Sequence, residues 1–123
     1  MKWHDGMAGL ADRYDGFILD LWGVVHNGVA PYPGVLDCLG RLRAAGRRVV
    51  LLSNAPRRTA TVEPGLRRMG VTADLYDAIM TSGECTHRML AARKDAWFAG
   101  LGRRMLHLGP DKDVDVYAGL GRD

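Results

Sequence analysis

Cysteine occurs only twice in this 123-residue chain, at Cys38 and Cys85, far apart and without a Cys-x-x-Cys or mixed Cys/His ligand spacing. That scarcity excludes a disulfide framework, suggests no zinc site, and suits a reducing cytosol. Long hydrophobic runs are also missing. The opening "MKWHDGMAGLADRYDG" has no apolar stretch of signal-peptide length and no later stretch approaches a membrane span, so a soluble, cytoplasmic protein with no membrane partner is expected. No dense block of one charge occurs either. The 17 Lys and Arg against 14 Asp and Glu leave a net charge of +3, with arginines scattered through amphipathic segments, which argues against a nucleic-acid surface.

What is present suits a globular domain, or part of a larger one: 47% of the residues are hydrophobic and 25% charged. Residues 1–14 are polar and mixed, a lead-in turn or short helix with Leu10 as its one strong anchor. "GFILD" then reads as a strand buried on both faces of a parallel sheet. "NGVAPYPG" is dense in turn residues, after which Val35, Leu36, Leu39 and Leu42 repeat at helical spacing until Gly46 caps the helix. "RVVLLSN" is a second buried strand. Thr59 to Met69 carries Val62, Leu66 and Met69 on one face, with Pro64-Gly65 expected to kink the helix or delay its start. "DAIMTSGE" is a short strand ending in Thr81 and Glu84, which have the spacing of a capping box. "RRMLHLG" reads as a fourth strand, and the remaining tail as loop with a short turn of helix.

Strand alternating with helix is the signature of an α/β fold, an open parallel sheet with helices on both faces. Right-handed crossovers bring the carboxyl ends of the strands to one rim, where the chemistry of such folds gathers. Three ends carry polar groups here: Asp20, Ser53-Asn54, and Thr81-Ser82-Gly83. An aspartate there serves as a nucleophile or holds a hard cation, and a serine hydroxyl with backbone N–H groups suits a phosphate. Against this stands the plain alternative that Asp20 and Ser53 are turn or cap residues. The residues alone stop at an anion or metal site at the sheet rim.

"YDGFILDLWGVVHNG", "PYPG", "VVLLSNAPRR", "LYDAIMTSGE" and "MLHLGPDKD", in that order and at suitable separations, resemble the amino-terminal half of the haloacid dehalogenase superfamily, in its class IIA, NagD-like branch. The resemblance runs from about Tyr14 over nearly the whole chain. It implies a Rossmann-like core, incomplete here: a lead-in over 1–14, the amino-terminal half of the core over 15–110, and the start of a cap or linker over 111–123. It implies a magnesium-dependent phosphomonoester hydrolase acting on a small phosphorylated metabolite, with Asp20 attacking phosphorus to form an aspartyl-phosphate. Magnesium would be held by the Asp20 carboxylate and the Trp22 backbone carbonyl. Ser53 would hydrogen-bond the phosphoryl group, and Asn54 and Gly23 would shape the phosphate loop. The metal brings together two anions that otherwise repel.

The chain departs from that pattern in two ways. Most phosphatases of the superfamily carry Asp-x-Asp, the second acid protonating the leaving oxygen; Trp22 stands there, and an indole donates a hydrogen bond but shuttles no proton. Loss of acid–base help costs about 10²- to 10⁴-fold. The Asp-x-Trp-Gly form belongs to a subgroup of the branch, and its backbone carbonyl remains. His26 is the nearest substitute, weighed against a plain place in the loop. Secondly, the later lysine and acidic metal motifs of the family are not found, since Lys94 and Lys112 precede any cap. The rival expectation is therefore a truncated or non-catalytic phosphate-binding chain. A half-sheet also leaves uncovered packing surface, so association with a partner or into homo-oligomers stays open.

Other signals weigh less. Asp111, Asp113 and Asp115 start like a calcium loop, but Val116 and Arg122 occupy its glycine and glutamate positions. "GLGR" at Gly100 and Gly119 lacks the rest of a dinucleotide fingerprint. Arg57 and Arg58 read as solvated surface residues, Trp97 and Phe98 as anchors of a helix end to the core, and His4, His87 and His107 as surface or packing residues.

Overall fold

The computed structural model describes His4 and Gly6–Gly121; residues 1–3 and 5 of the lead-in, with Arg122 and Asp123, lie outside the described residues. The chain divides into two compact units, one of residues 1–53 with 64–79 and the other of 54–63 with 80–123.

The first unit holds most of the sheet. β1 (Gly16–Asp20) pairs in parallel with β2 (Arg48–Ser53), Ile18 opposite Val50 and Asp20 opposite Leu52. With β3 (Ala78–Thr81) the order in the sheet is β1-β2-β3. Pleating sends alternate residues to opposite faces. One face carries Val49 and Leu51, both fully buried, under α2 (Val35–Ala44), which contributes buried Leu39 and Leu42. The other face exposes Ile18 at 71% and Leu52 at 48%. The "GFILD" strand is therefore not buried on both faces. A continuous apolar run cannot say which of its faces this chain covers.

Local chemistry sets the ends of these elements. α2 begins after Gly34 (φ +81°) and finishes in a Schellman arrangement: Gly46 (φ +72°) donates to Arg43 O and Arg47 donates to Leu42 O, both at 2.9 Å. Asp77 anchors the sheet from outside the strands. Its Oδ2 accepts the Val49 N–H (2.7 Å) and Arg43 Nη1 (2.6 Å), while its own N–H donates to Val49 O. The hydrogen bond that its carboxylate accepts from the Val49 N–H, assisted by Arg43 and Arg48, holds that carboxyl below the usual range. Residues 8–11 form α1, the short lead-in helix.

α3 (Thr59–Arg68) starts at Thr59 with Pro64 inside it, so the proline does not delay the helix; the division between units falls at that residue. In the second unit α4 (Ser82–Ala92) packs against a 3-10 helix over Asp111–Tyr117, whose Val116 is buried and whose Val116 carbonyl meets His87 Nδ1 at 2.7 Å. α5 (Ala96–Gly100) lies between them in sequence. Trp97 is 67% exposed and stacks edge-on against its neighbour Phe98, so it does not anchor a helix end to the core. "RRMLHLG" is not a strand: residues 103–109 are irregular, with Leu106 and Leu108 over 80% exposed. A strand needs a hydrogen-bonded neighbour, and among the described residues the sheet ends at three strands.

Candidate active site

β1 ends in Asp20, and the turn after it is tied down from both sides. Leu21 and Val25 are buried at 1% each and fasten the turn to the core. The Leu21 carbonyl accepts the N–H groups of Val25 (2.9 Å) and His26 (3.0 Å), and the Leu21 N–H reaches both Leu52 O and Asp20 Oδ1. Asp20 is thus held at the strand end while its side chain stays exposed. Gly23 takes φ +77°, a left-handed conformation that favours glycine, and donates to His26 O at 3.0 Å. Beyond it Asn27 Oδ1 accepts the N–H groups of Val29 and Ala30, closing the next turn.

Ser53 sits at the same rim, one residue past the partner of Asp20, and is buried at 4%. It shares the buried parity of Leu51, whereas Asp20 shares the exposed parity of Ile18. Asp20, Trp22, Gly23 and Ser53 all belong to the first unit. Asn54 is exposed and falls in the second unit.

Trp22 is 59% exposed, its ring edge-on to His26 with centroids 5.4 Å apart. It lies over Gly28: a Cβ there would come within 2.3 Å of the indole. His26 is buried at 5% and its Nδ1 accepts the Gly28 N–H at 2.9 Å. Burial pushes its pKa below the ordinary 6.5, against the opposing pull of Asp20. A neutral ring whose Nδ1 is already engaged is a loop component, which favours the plain reading of His26 over a substitute acid. Gly28→Ala must displace the indole and also strain a residue at φ +91°. We expect a loss of about 1–2 kcal/mol in urea unfolding and a changed near-ultraviolet tryptophan signal. An unaltered signal would show that the indole does not rest there.

The second unit contains a group the sequence did not reveal. Thr81 Oγ1 accepts the Glu84 N–H at 2.9 Å and donates to the Arg57 carbonyl, so Thr81 caps α4 as its spacing predicts. Glu84 does not complete the reciprocal half of the box. Its buried carboxylate instead receives Arg58 Nε (2.6 Å), Arg88 Nε (2.9 Å) and the Thr59 N–H. Arg57 pairs with Asp113 at 2.9 Å, and Asp115 accepts from Arg58 N and Thr61 Oγ1. Arg57 and Arg58 are therefore partly buried ion-pair residues, not solvated ones. Their acids lie 56 and 26 positions away, and no local pattern signals such partners.

The Arg58 hydrogen bond, working against burial and helped by Arg88 and Thr59, lowers the Glu84 pKa from 4.5 to about 2. Because the folded value is depressed, the stabilisation is complete above pH 4.5 and drains away as pH falls towards about 2. Glu84→Gln should cost roughly 3 kcal/mol at about pH 7 and flatten the acid limb of stability against pH. Urea titrations at a series of pH values check this; parallel curves for both proteins would contradict it.

Comparison with known proteins shows the family. The family model for haloacid dehalogenase-like hydrolase matches residues 17–123. A 4-nitrophenylphosphatase of Schizosaccharomyces pombe is 27% identical over 88 residues, 68% of this chain and 30% of that protein. Chronophin of Rattus norvegicus is 36% identical over 80 residues, 63% of this chain and 26% of chronophin. Among solved structures, a haloacid dehalogenase-like hydrolase from Brucella suis 1330 superposes with a TM-score of 0.82 at 33% identity, over 98% of this chain and 43% of that one. A 4-nitrophenylphosphatase from Thermotoga maritima gives 0.69 at 29% identity, over 93% and 41%. The chain thus spans less than half the length of each of these proteins.

Proposed function

Since the chain belongs to the haloacid dehalogenase-like hydrolases, in their class IIA, NagD-like branch, we propose that it serves phosphomonoester hydrolysis on a small phosphorylated metabolite, with Asp20 as nucleophile. The observation that carries this reading is the position of Asp20 and Ser53 at the carboxyl ends of two hydrogen-bonded parallel strands. An Asp20 carboxylate oxygen attacks phosphorus, the bond to the leaving oxygen breaks, and water then cleaves the aspartyl-phosphate to regenerate the carboxylate. The Ser53 hydroxyl donates to a phosphoryl oxygen, and Gly23 gives the turn beside it its shape. The names of the 4-nitrophenylphosphatase relatives support an ester substrate. Two free cysteines support a cytoplasmic setting.

Magnesium fits the donor chemistry. The Asp20 carboxylate and the Trp22 carbonyl are hard oxygens, and this ion commonly binds through one or two carboxylates while keeping water and substrate oxygens. When bound it supplies charge that lets the carboxylate approach the phosphate. Among the described residues no three His, Cys, Asp or Glu gather into a metal site.

The second reading, a phosphate-binding chain without turnover, is favoured by one feature: Trp22 stands where most phosphatases of the superfamily have their proton donor. Acid-quenched protein, incubated with an aryl phosphate and magnesium, separates the two. Mass spectrometry should find the phosphoryl group on the peptide bearing Asp20, and a chelator should abolish it. Phosphate bound but never covalently attached would support the second reading.

A further inference from the structure

We propose that Asn27 is a self-modifying site, an asparagine whose side-chain amide the surrounding turn converts slowly into aspartate and isoaspartate. Asn27 directly precedes Gly28, and both residues are exposed to water. The groups around this pair are placed as the reaction requires. Gly28 supplies the nucleophile, its backbone nitrogen, and has no side chain to obstruct the approach to the Asn27 amide carbon; its φ of +91° is one that glycine adopts readily. The Gly28 N–H donates to His26 Nδ1 at 2.9 Å, so an imidazole nitrogen already stands at the proton that must leave. The Asn27 side-chain carbonyl is the electrophile. Its Oδ1 accepts the Val29 and Ala30 N–H groups, both at 2.9 Å, which puts two backbone donors on the oxygen where negative charge develops. Nucleophile and electrophile sit on adjoining residues, so no binding step is needed. The turn is also fastened. His26 is buried at 5%, its N–H donates to Leu21 O, its carbonyl accepts the Gly23 N–H, and the Asn27 N–H closes on Ala30 O at 3.1 Å.

The reaction needs no reagent other than water. The Gly28 nitrogen bonds to Asn27 Cγ as its proton passes along the existing hydrogen bond to His26 Nδ1, and charge gathers on Oδ1. The carbon–nitrogen bond of the side-chain amide then breaks, and ammonia leaves with the proton that His26 held. A cyclic succinimide remains. Water attack at Cγ opens it to aspartate, whereas attack at the backbone carbonyl leaves the main chain running through Cγ as isoaspartate. Either product places a new negative charge in the turn that follows Asp20. Isoaspartate also lengthens the main chain by a methylene next to Gly28, the residue against which the Trp22 indole rests.

The test incubates the full chain at neutral pH for days and samples it at intervals. Mass spectrometry of the proteolytic peptide bearing Asn27 reads the change from amide to acid, and an isoaspartate methyltransferase labels the isoaspartate fraction. A synthetic peptide of residues 22–32 provides the reference, because it keeps the Asn-Gly pair without the buried His26 and its fastenings. Folded wild type should convert at least about tenfold faster than this peptide, a small share of what a positioned base supplies. His26→Gln keeps a side-chain oxygen that accepts an N–H but takes up no proton, and in protein shown to be folded by circular dichroism it should fall to roughly the peptide rate or below. The comparison of wild type with the peptide needs no variant. A folded rate equal to or below that of the peptide overturns the proposal, as does a fast rate left unchanged by His26→Gln.

Discussion

Asp20→Asn is expected to lower magnesium-dependent phosphate release by about three orders of magnitude or more, the scale on which removal of a catalytic nucleophile acts. The substitution is nearly isosteric and keeps an oxygen able to accept the Leu21 N–H, now at 2.8 Å from Oδ1, so the end of β1 should hold its shape. What it removes is the negative charge. A neutral amide oxygen is a poor nucleophile towards phosphorus, and it is also a weaker ligand for a hard cation. Because Asp20 is exposed, losing its charge should leave stability within about 0.5 kcal/mol of wild type. Thermal unfolding together with phosphate release therefore separates lost chemistry from a lost fold. Release that persists in a well-folded Asp20→Asn protein would remove Asp20 from the nucleophile's role.

The largest structural effect is expected at Gly83. A Cβ on this residue would stand 2.5 Å from the Arg57 nitrogen and 2.6 Å from its carbonyl carbon and oxygen. These are backbone atoms of one peptide segment and cannot swing aside. The Gly83 N–H also donates to Ala55 O at 3.1 Å, and Thr81 Oγ1 donates to Arg57 O, so the segment is fastened where the Cβ would intrude. Gly83→Ala should therefore cost about 3 kcal/mol or more, at the upper end of overpacking penalties. Separating the two backbones would also disturb Glu84, the next residue in α4, and its hydrogen bond from Arg58, the residue after Arg57. Denaturant unfolding checks this prediction. A midpoint equal to wild type would mean that residues 55–57 do not approach α4 this closely.

Much of the frame was legible because it is written in local chemistry. Strong apolar runs marked β1, β2 and β3, and Gly46 marked the end of α2 because only glycine enters its left-handed cap readily. The threonine three residues before Glu84 announced the start of α4. The strand-end positions of Asp20 and Ser53 followed from parallel pairing alone. Glu84 was half legible: its spacing from Thr81 revealed the cap, but its carboxylate found more charge in Arg58 and Arg88 than in a lone backbone N–H.

Taken alone, the sequence determined β1, β2, β3 and the helices α2, α3 and α4, and which polar residues stand at the strand ends. Periodicity, turn residues and caps act within a few positions and do not depend on what packs against them. Only the tertiary structure decided that Ile18 faces solvent, that residues 103–109 find no strand to pair with, and that Arg57 and Arg58 are bound to distant acids. It also showed that Gly28 and Gly83 are needed for room: one for an indole, the other for a backbone. Burial, strand pairing, ion pairing and close approach are properties of two segments brought together in space. Neither segment carries them alone.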